Sequence, residues 1–295
     1  MDSVLFYKML SKIADSKSIT KAAENMAYTQ SGLSHIVNRF EKEMGFKLFL
    51  RSKTGVTLSN EGQLLLPIAK EIEQGLKKMD ETIASIRGLE IGRVTVGAFA
   101  SVATHILPSL LMMLGRDYPG IKIDIKKGST IEIHNWIMDH TVDVGFTSIQ
   151  GDDEFEYIEL FEDPLLAVVP NDFELNEFDV QEFNRFPFIM PTGESLPDRD
   201  IDRVIRQNNL QVNVSLSSMD WAAIISMVES GLGISLMPEL MLRKNNRAVK
   251  TLPIKPHCYR TLAIACDSFD NASPAVLKVI EYAKQITQTT GAPLP

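Results

Sequence analysis

The chain has 295 residues, 44% of them apolar and 23% charged, with a net charge of −8. That length suits about two domains with a sizeable core, and no run approaches the ~18 consecutive apolar residues of a membrane span. An acid at Asp2 with no long apolar region behind it argues against a secretory signal, and two cysteines, Cys258 and Cys266, form neither a disulfide framework nor a metal pattern, so the expectation is a cytoplasmic, globular protein with no cofactor, metal or membrane partner.

The charge is unevenly placed. Residues 1–58 hold nine Lys/Arg against five Asp/Glu, residues 59–87 four against five, and the remainder seventeen against twenty-eight. A basic head on an acidic body is the asymmetry of a protein in which only the head meets phosphate.

Leu5, Phe6, Met9, Leu10, Ile13 and Ala14 form one apolar stripe of a first helix. Asp15-Ser16-Lys17-Ser18 breaks it. A second helix fits Ile19 to Ala27, capped by Ser18 or Thr20, with Ala22, Ala23 and Met26 inward and the two alanines permitting close helix approach. Thr29 caps a third helix whose Leu33, Ile36, Val37, Phe40 and Met44 face inward. Its outer face carries Gln30, Ser31, Ser34, His35, Asn38 and Arg39, short or planar donors and acceptors suited to base edges and phosphates. An ordinary solvated face carries more Glu and Lys, as Glu41, Lys42 and Glu43 do further along. The third helix therefore reads as one that enters the major groove of double-stranded DNA.

After Gly45, Leu48/Leu50 and Val56/Leu58 alternate around Arg51, Ser52, Lys53, Thr54 and Gly55, which predicts a hairpin with a basic tip. Such a wing sets Arg51 and Lys53 against phosphate or a minor groove. Ser59 then caps a long helix to about Arg87. Leu65, Ala69, Ile72, Leu76, Met79, Ile83 and Ile86 recur at alternating spacings of four and three, a seam that predicts pairing with a second copy. Pro67 lies too deep for a first-turn position and predicts a kink or disturbed first turns.

The run SITKAAENMAYTQSGLSHIVNRFEKEMGFKLFLRSKTGVTLSNEG resembles the winged helix-turn-helix signature of LysR-type transcriptional regulators. Ala22-Ala23, Gln30, Ser34, Ile36, Glu41, Gly45, Leu48-Phe49, Arg51, Leu58 and Gly62 match in order and without gaps. The resemblance implies that Thr29, Gln30, Ser31, Ser34, His35, Asn38 and Arg39 lie at DNA, with Arg51 and Lys53 as wing contacts. One departure is Ser31, where the family usually carries proline.

Gly88 to Gly92 reads as a hinge, after which strands and helices alternate. Expected are a strand at 93–98, a helix at 103–115, a strand at 121–127, a helix at 132–139 and a strand at 142–148. A similar order returns at 188–190, 198–208, 211–217, 220–230 and 233–237. Two such halves predict two parallel-sheet subdomains with a cleft between them, crossings at 157–169 and 260–267, and a last helix at 275–287 on the first half. "RVTVGAFASVATHILPSLL", "VDVGFTS" and "ESGLGISLMPE" resemble the LysR effector-binding domain, itself similar to periplasmic binding proteins. The fold expected is thus α/β overall: a winged helix-turn-helix at 1–58, a linker dimerisation helix at 59–87, a hinge at 88–92 and a regulatory domain at 93–295. Subdomain I spans 93–161 and 268–295, and subdomain II spans 162–267.

Ligands of open α/β sheets settle where strands end and helix N-termini begin. Here those places hold Phe99, Ala100, Ser101, Val102, Gly128, Ser129, Thr130, Phe146, Thr147, Pro191, Thr192 and Ser218. Their hydroxyls suit a small-molecule effector, an anion among the options, although each hydroxyl can equally cap its own helix. The chain reads as a regulator that binds double-stranded DNA and a small effector and self-associates as a dimer or tetramer.

Other classes carry less. GESLP at 193–197 lacks the second glycine of a nucleophile elbow, and His134 and His140, six apart, do not share a helix face well. No catalytic residue is assigned. A redox sensor built on Cys258 and Cys266 is one alternative; a ligand-binding module or enzyme without functional DNA binding is the other.

Overall fold

The computed structural model describes residues 3–52, 55–87, 90–149, 151, 155–175, 177–192, 198–243 and 248–289. The chain divides into two compact units, residues 1–90 with 139–141 and residues 91–138 with 142–295.

The first unit opens with α1 (Ser3–Ser16), α2 (Ile19–Asn25) and α3 (Gln30–Met44). It continues through the hairpin β1 (Phe49–Ser52) and β2 (Gly55–Leu58) to α4 (Asn60–Ile86). Ser18 and Thr29 are the N-caps of α2 and α3, accepting from the N–H groups of Lys21 and Gly32. Helix α3 stops at Gly45, whose φ of 81° is the left-handed conformation that glycine adopts without strain. Phe6, Met9, Leu10, Ile13, Ala22, Ala23, Leu33, Val37, Phe40 and Leu48 make one core. Ile36 and Met44 sit at its margin.

Glu41 fixes the wing to that core. Its side chain is almost fully buried, and Oε1 accepts from the N–H groups of Leu48 and Phe49 at 2.9 and 3.3 Å. Lys47 Nζ reaches the other oxygen at 2.6 Å. Burial alone would raise this carboxyl, but the Lys47 and backbone hydrogen bonds reverse it and hold the pKa below the usual value. The first turn of α4 then passes so close to β1 that a Cβ on Gly62 would meet the Leu48 carbonyl oxygen at 2.3 Å. Only glycine fits there. Helix α4 continues unbroken through Pro67, and the second helix ends two residues short of Ala27.

The second unit begins with β3 (Ile91–Ala98), α5 (Ala100–His105), α6 (Leu107–Asp117), β4 (Gly120–Lys127), α7 (Thr130–Met138) and β5 (Val144–Ser148). Strand β3 lies between β4 and β5, parallel to both. The single helix expected at 103–115 is two, divided at Ile106. Pro108 has no N–H to give the carbonyl one turn back, so α6 must start afresh.

Strand β6 (Glu156–Pro170) crosses to the second half. There follow β7 (Phe178–Asp179), β8 (Pro187–Pro191), α8 (Arg199–Gln207), β9 (Asn213–Ser218), α9 (Trp221–Glu229), β10 (Ser235–Pro238), α10 (Glu239–Leu242) and β11 (Val249–Lys255). Strand β12 (Tyr259–Cys266) returns, and α11 (Pro274–Thr289) ends the described chain. Strands β6 and β12 pair antiparallel, with Arg260 opposite Asp163, and they join both halves into one sheet of order β4-β3-β5-β12-β6-β11-β7.

The second half follows the order of the first: β8 and β9 are parallel, and Ile234, just before β10, forms a parallel bridge with Phe188. Ser235 at the start of β10 donates to the Ile189 carbonyl at 2.8 Å, and β10 runs antiparallel to β6 as β5 does to β12. The fifteen-residue β6 leaves two edges along its second half, filled by β10 and by β11. Separate cores remain: one in the first half around Val96, Leu110, Ile133, Phe146 and Val279, and two in the second half, around Phe178, Phe183, Phe188, Ile201 and Leu236 and around Val168, Ile189, Ile224 and Val228. Alternating strands and helices produce this α/β arrangement because each helix buries one apolar stripe against the sheet.

Candidate nucleic-acid interface and effector cleft

Helix α3 turns Leu33, Val37 and Phe40 inward and leaves Thr29, Gln30, Ser31, His35, Asn38 and Arg39 exposed, with Ser34 half-buried. Internal bonds on this face are few and loose. Gln30 Nε2 donates to Ser34 Oγ at 3.2 Å, Thr29 and Ser31 hydroxyls lie 3.3 Å apart, and Arg39 stands 4.0 Å from Glu43. Two half-exposed side chains at that separation gain little from each other. The guanidinium also lies 5.3 Å from the Phe40 ring centre, which supports its stem without using its donors. Arg51 is exposed on β1, and Lys53 falls outside the described residues.

The seam of α4 has two parts. Ala69 is buried in the core of its own unit and Leu65 packs beside it. These two positions serve the unit's own packing, so the outward stripe differs from the one expected. It runs through Leu64, Ile68, Met79, Ile83 and Ile86, all exposed, with Ile72 and Leu76 half-buried.

In the second unit the expected effector positions form two groups. Phe99 to Val102, Gly128 to Thr130, and Phe146 with Thr147 lie at the C-terminal ends of the adjacent strands β3, β4 and β5. Pro191, Thr192 and Ser218 lie together at the ends of β8 and β9, where the Thr192 N–H donates to the Ser218 carbonyl at 3.0 Å. Phe99, Val102 and Phe146 are core residues, while Ala100, Gly128, Ser129, Thr192 and Ser218 keep some surface.

Four of the expected hydroxyls are already engaged. Ser101, fully buried, accepts from Arg260 Nη2 at 2.9 Å. Ser129 and Glu132 form a reciprocal capping box on α7, with the Ser129 N–H and hydroxyl both donating to the Glu132 carboxylate. Thr147 and His134 Nε2 are 2.7 Å apart. The Ser218 hydroxyl accepts from the Asp220 N–H at 3.0 Å. For Ser129 and Ser218 the local cap therefore describes the side chain's bonding.

Between the two groups lies a set of charges that the sequence reading did not single out. Arg260 Nε and Nη2 both donate to Asp163 Oδ2, at 2.9 and 2.8 Å, and the guanidinium stacks 4.7 Å from the Phe99 ring centre. Asp163 Oδ1 accepts from the Leu240 N–H at 2.9 Å, so one carboxylate ties α10 to both crossing strands. Ser148 donates to Asp200 Oδ1 at 2.7 Å. Arg203 stands 3.2 Å from the same carboxylate and donates to the carbonyls of Tyr259 and Ile149.

Asp198 caps α8 and accepts from the N–H groups of Asp200 and Ile201. The residue keeps part of its surface in water, while its carboxyl group lies deep among protein atoms. Burial, and then the neighbouring Asp200 charge, push its pKa up to about 6 against the pull of Arg260. The available signal for this set was charge at the ends of apolar strands: Asp163 in EDPLLAVV and Arg260 in YRTLAIAC. Burial raises both thiols, Cys266 to about 12 and Cys258 above its ordinary value, which suppresses the reactive thiolate. Among the described residues no cluster of three or more His, Cys, Asp or Glu is placed to hold a metal ion.

Comparison with known proteins gives two family matches. Residues 7–63 match the family described as bacterial regulatory helix-turn-helix protein, lysR family, and residues 87–288 match the LysR substrate binding domain. Among curated relatives, the HTH-type transcriptional regulator YvbU of Bacillus subtilis is 27% identical over 285 residues, 95% of this chain and 97% of its own. YoaU of the same organism is 24% identical over 280 residues, 93% of this chain and 95% of its own. Among solved structures, a full-length OxyR variant from Pseudomonas aeruginosa superposes with a TM-score of 0.79 at 20% identity, over 96% of this chain and 95% of that one. The effector binding domain of QuiR in complex with shikimate superposes with a TM-score of 0.60 at 20% identity, over 68% of this chain and 98% of that one.

Proposed function

The chain belongs to the LysR family of DNA-binding transcriptional regulators, and on that premise we propose that it reads DNA as a homo-oligomer under control of a small molecule bound between the two halves of its second unit. The observation that carries the DNA half is the outer face of α3. Gln30, His35, Asn38 and Arg39 stand exposed on a helix whose other side is fully packed, and such groups pair with base edges. Arg51 on the adjacent hairpin adds a phosphate contact, with Lys53 beside it in sequence. No described helix is long and apolar enough to cross a membrane, in keeping with action on DNA in the cytoplasm.

The effector half is supported by the clustering of Ala100, Gly128, Ser129, Thr192 and Ser218 at the ends of strands β3, β4, β8 and β9. The elevated pKa values of Cys258 and Cys266 favour a noncovalent effector over a thiol sensor. No catalytic role is assigned to any residue.

Selection of DNA fragments from a random pool, followed by anisotropy titrations at several salt concentrations, tests this reading. Affinity should fall steeply with salt. Asn38→Ala should relax preference at one or two base positions, with a loss of about 1–3 kcal/mol. A wild-type chain that enriches no sequence at low salt would end the proposal.

A further inference from the structure

The polar groups that join the two halves lie close together and are almost dry. Ser101, Ser148 and Asp163 have no exposed surface, and Asp200 and Arg260 are 1% and 4% exposed. Among these five groups two bonds cross from one half to the other. Ser148, the last residue of β5, donates to Asp200 in the first turn of α8, and Arg260 on the crossing strand β12 donates to Ser101 in the first turn of α5. Ser101 is among the hydroxyls expected to meet an effector, and Ser148 directly follows another, Thr147.

We propose that Asp200 is a built-in occupant of the effector cleft. Its carboxylate takes the Ser148 hydroxyl, latches α8 against the end of β5, and must be displaced before an effector can use that hydroxyl. The inference rests on the effector-cleft reading above and adds which contact an effector has to displace.

Three features make Asp200 a latch rather than an incidental contact. The bond joins residues 52 apart in sequence, carried by β5 and α8, which pack into different cores. Arg203, one turn along α8, approaches the same carboxylate and also donates to the Ile149 and Tyr259 carbonyls. That guanidinium holds the strand end and the helix together from the outer side. The short hydroxyl–carboxylate bond is charge-assisted and lies where water does not compete, so it is stronger than a surface contact.

The test is amide hydrogen exchange on the full-length, ligand-free protein as wild type, Ser148→Ala, Ser148→Thr, Asp200→Asn and the Ser148→Ala/Asp200→Asn double variant. Loss of the bond should raise exchange roughly fivefold, the factor that one buried hydrogen bond implies. That rise should appear at residues 144–149 and also across the gap at 199–207. The double variant should exceed neither single one by more than about twofold, and Ser148→Thr, which keeps the hydroxyl, should stay near wild type. Faster exchange confined to 144–149 in Ser148→Ala, or additive effects in the double variant, would overturn the latch. If Asp200→Asn fails to fold, the Ser148→Ala and Ser148→Thr pair still decides. DNA binding by the wild type is measured separately, so failure of the regulatory reading and failure of the latch are distinguishable.

Discussion

Asp163 and Arg260 face each other as register partners on the two strands that cross between the halves of the second unit, and both are buried. Two further bonds hold the pair, from the Leu240 N–H to Asp163 and from Arg260 Nη2 to the Ser101 hydroxyl. A buried ion pair with such added hydrogen bonds contributes little net stability, but removing one member leaves a charge without compensation. Asp163→Ala should therefore lower stability by about 3–5 kcal/mol. The two tryptophans, Trp136 and Trp221, both lie in the second unit, so urea unfolding followed by tryptophan fluorescence reports it directly. A midpoint within error of wild type would show that the pair is not under tension from desolvation.

Glu41 presents the opposite case, a carboxylate whose worth comes from two backbone donors rather than from its lysine. Lys47 is 68% exposed at its side chain, and such a pair contributes little. The Leu48 and Phe49 N–H groups have no comparable alternative. Glu41→Ala should cost about 2–3 kcal/mol and loosen the wing; Lys47→Ala should cost under about 1 kcal/mol. Because the Glu41 pKa is lowered on folding, its contribution is complete above the ordinary glutamate pKa. It is lost as pH falls through the lowered folded value. Exchange of the wing amides at 47–52 and 55–58, followed from pH 6 down to pH 3 after correction for intrinsic rates, checks both sign and site.

Asp198 titrates in the other direction. Its folded pKa of about 6 lies above the ordinary aspartate value of 3.8, so folding disfavours the charged form. Stability from this group is therefore greatest below pH 3.8 and declines as pH rises through about 6. Above that the full penalty applies. Asparagine retains the cap to Asp200 and Ile201 N–H and has no charge to desolvate. Asp198→Asn should raise stability at pH 7.5 by about 1–2 kcal/mol, after allowance for solvent screening. The gain should vanish near pH 4. A variant less stable than wild type at pH 7.5 would mean that the Arg260 attraction outweighs both burial and the Asp200 repulsion.

What could be read from the sequence follows from the range of the forces involved. Caps, helix stripes and the wing depend on neighbours within a few residues, and Ser18, Thr29, Ser59 and Gly45 stand where local chemistry expects them. The division at Ile106 was also encoded locally, in Pro108, but the apolar run Ile106-Leu107 concealed it. The fate of β10 was not local at all, since it depends on which edge of β6 remains open. The candidate cleft divides in the same way. The strand ends carry the expected hydroxyls in two separate groups, whereas Arg260, Asp163 and Asp200 became visible only once residues 52 to 159 apart in sequence were brought into contact.

The outward stripe of α4 supplies the last prediction. Met79, Ile83 and Ile86 are 55%, 42% and 81% exposed, and they follow one another at intervals of four and three. A solvated helix gains nothing by repeating large apolar groups along one line, and burying each against a second copy stabilises association by about 1.5–3 kcal/mol. Ile83→Glu replaces that gain with a carboxylate that would have to lose its water in a paired seam. Two copies facing each other would double the effect and add repulsion. Self-association should weaken by about 100-fold or more, while tryptophan-monitored stability of the second unit remains within about 0.5 kcal/mol of wild type at a concentration where both are monomeric. Sedimentation velocity over a micromolar concentration series measures the first quantity. An unchanged oligomer would remove this stripe from the pairing surface, and the two heads would need another way to reach half-sites one helical turn, ~34 Å, apart.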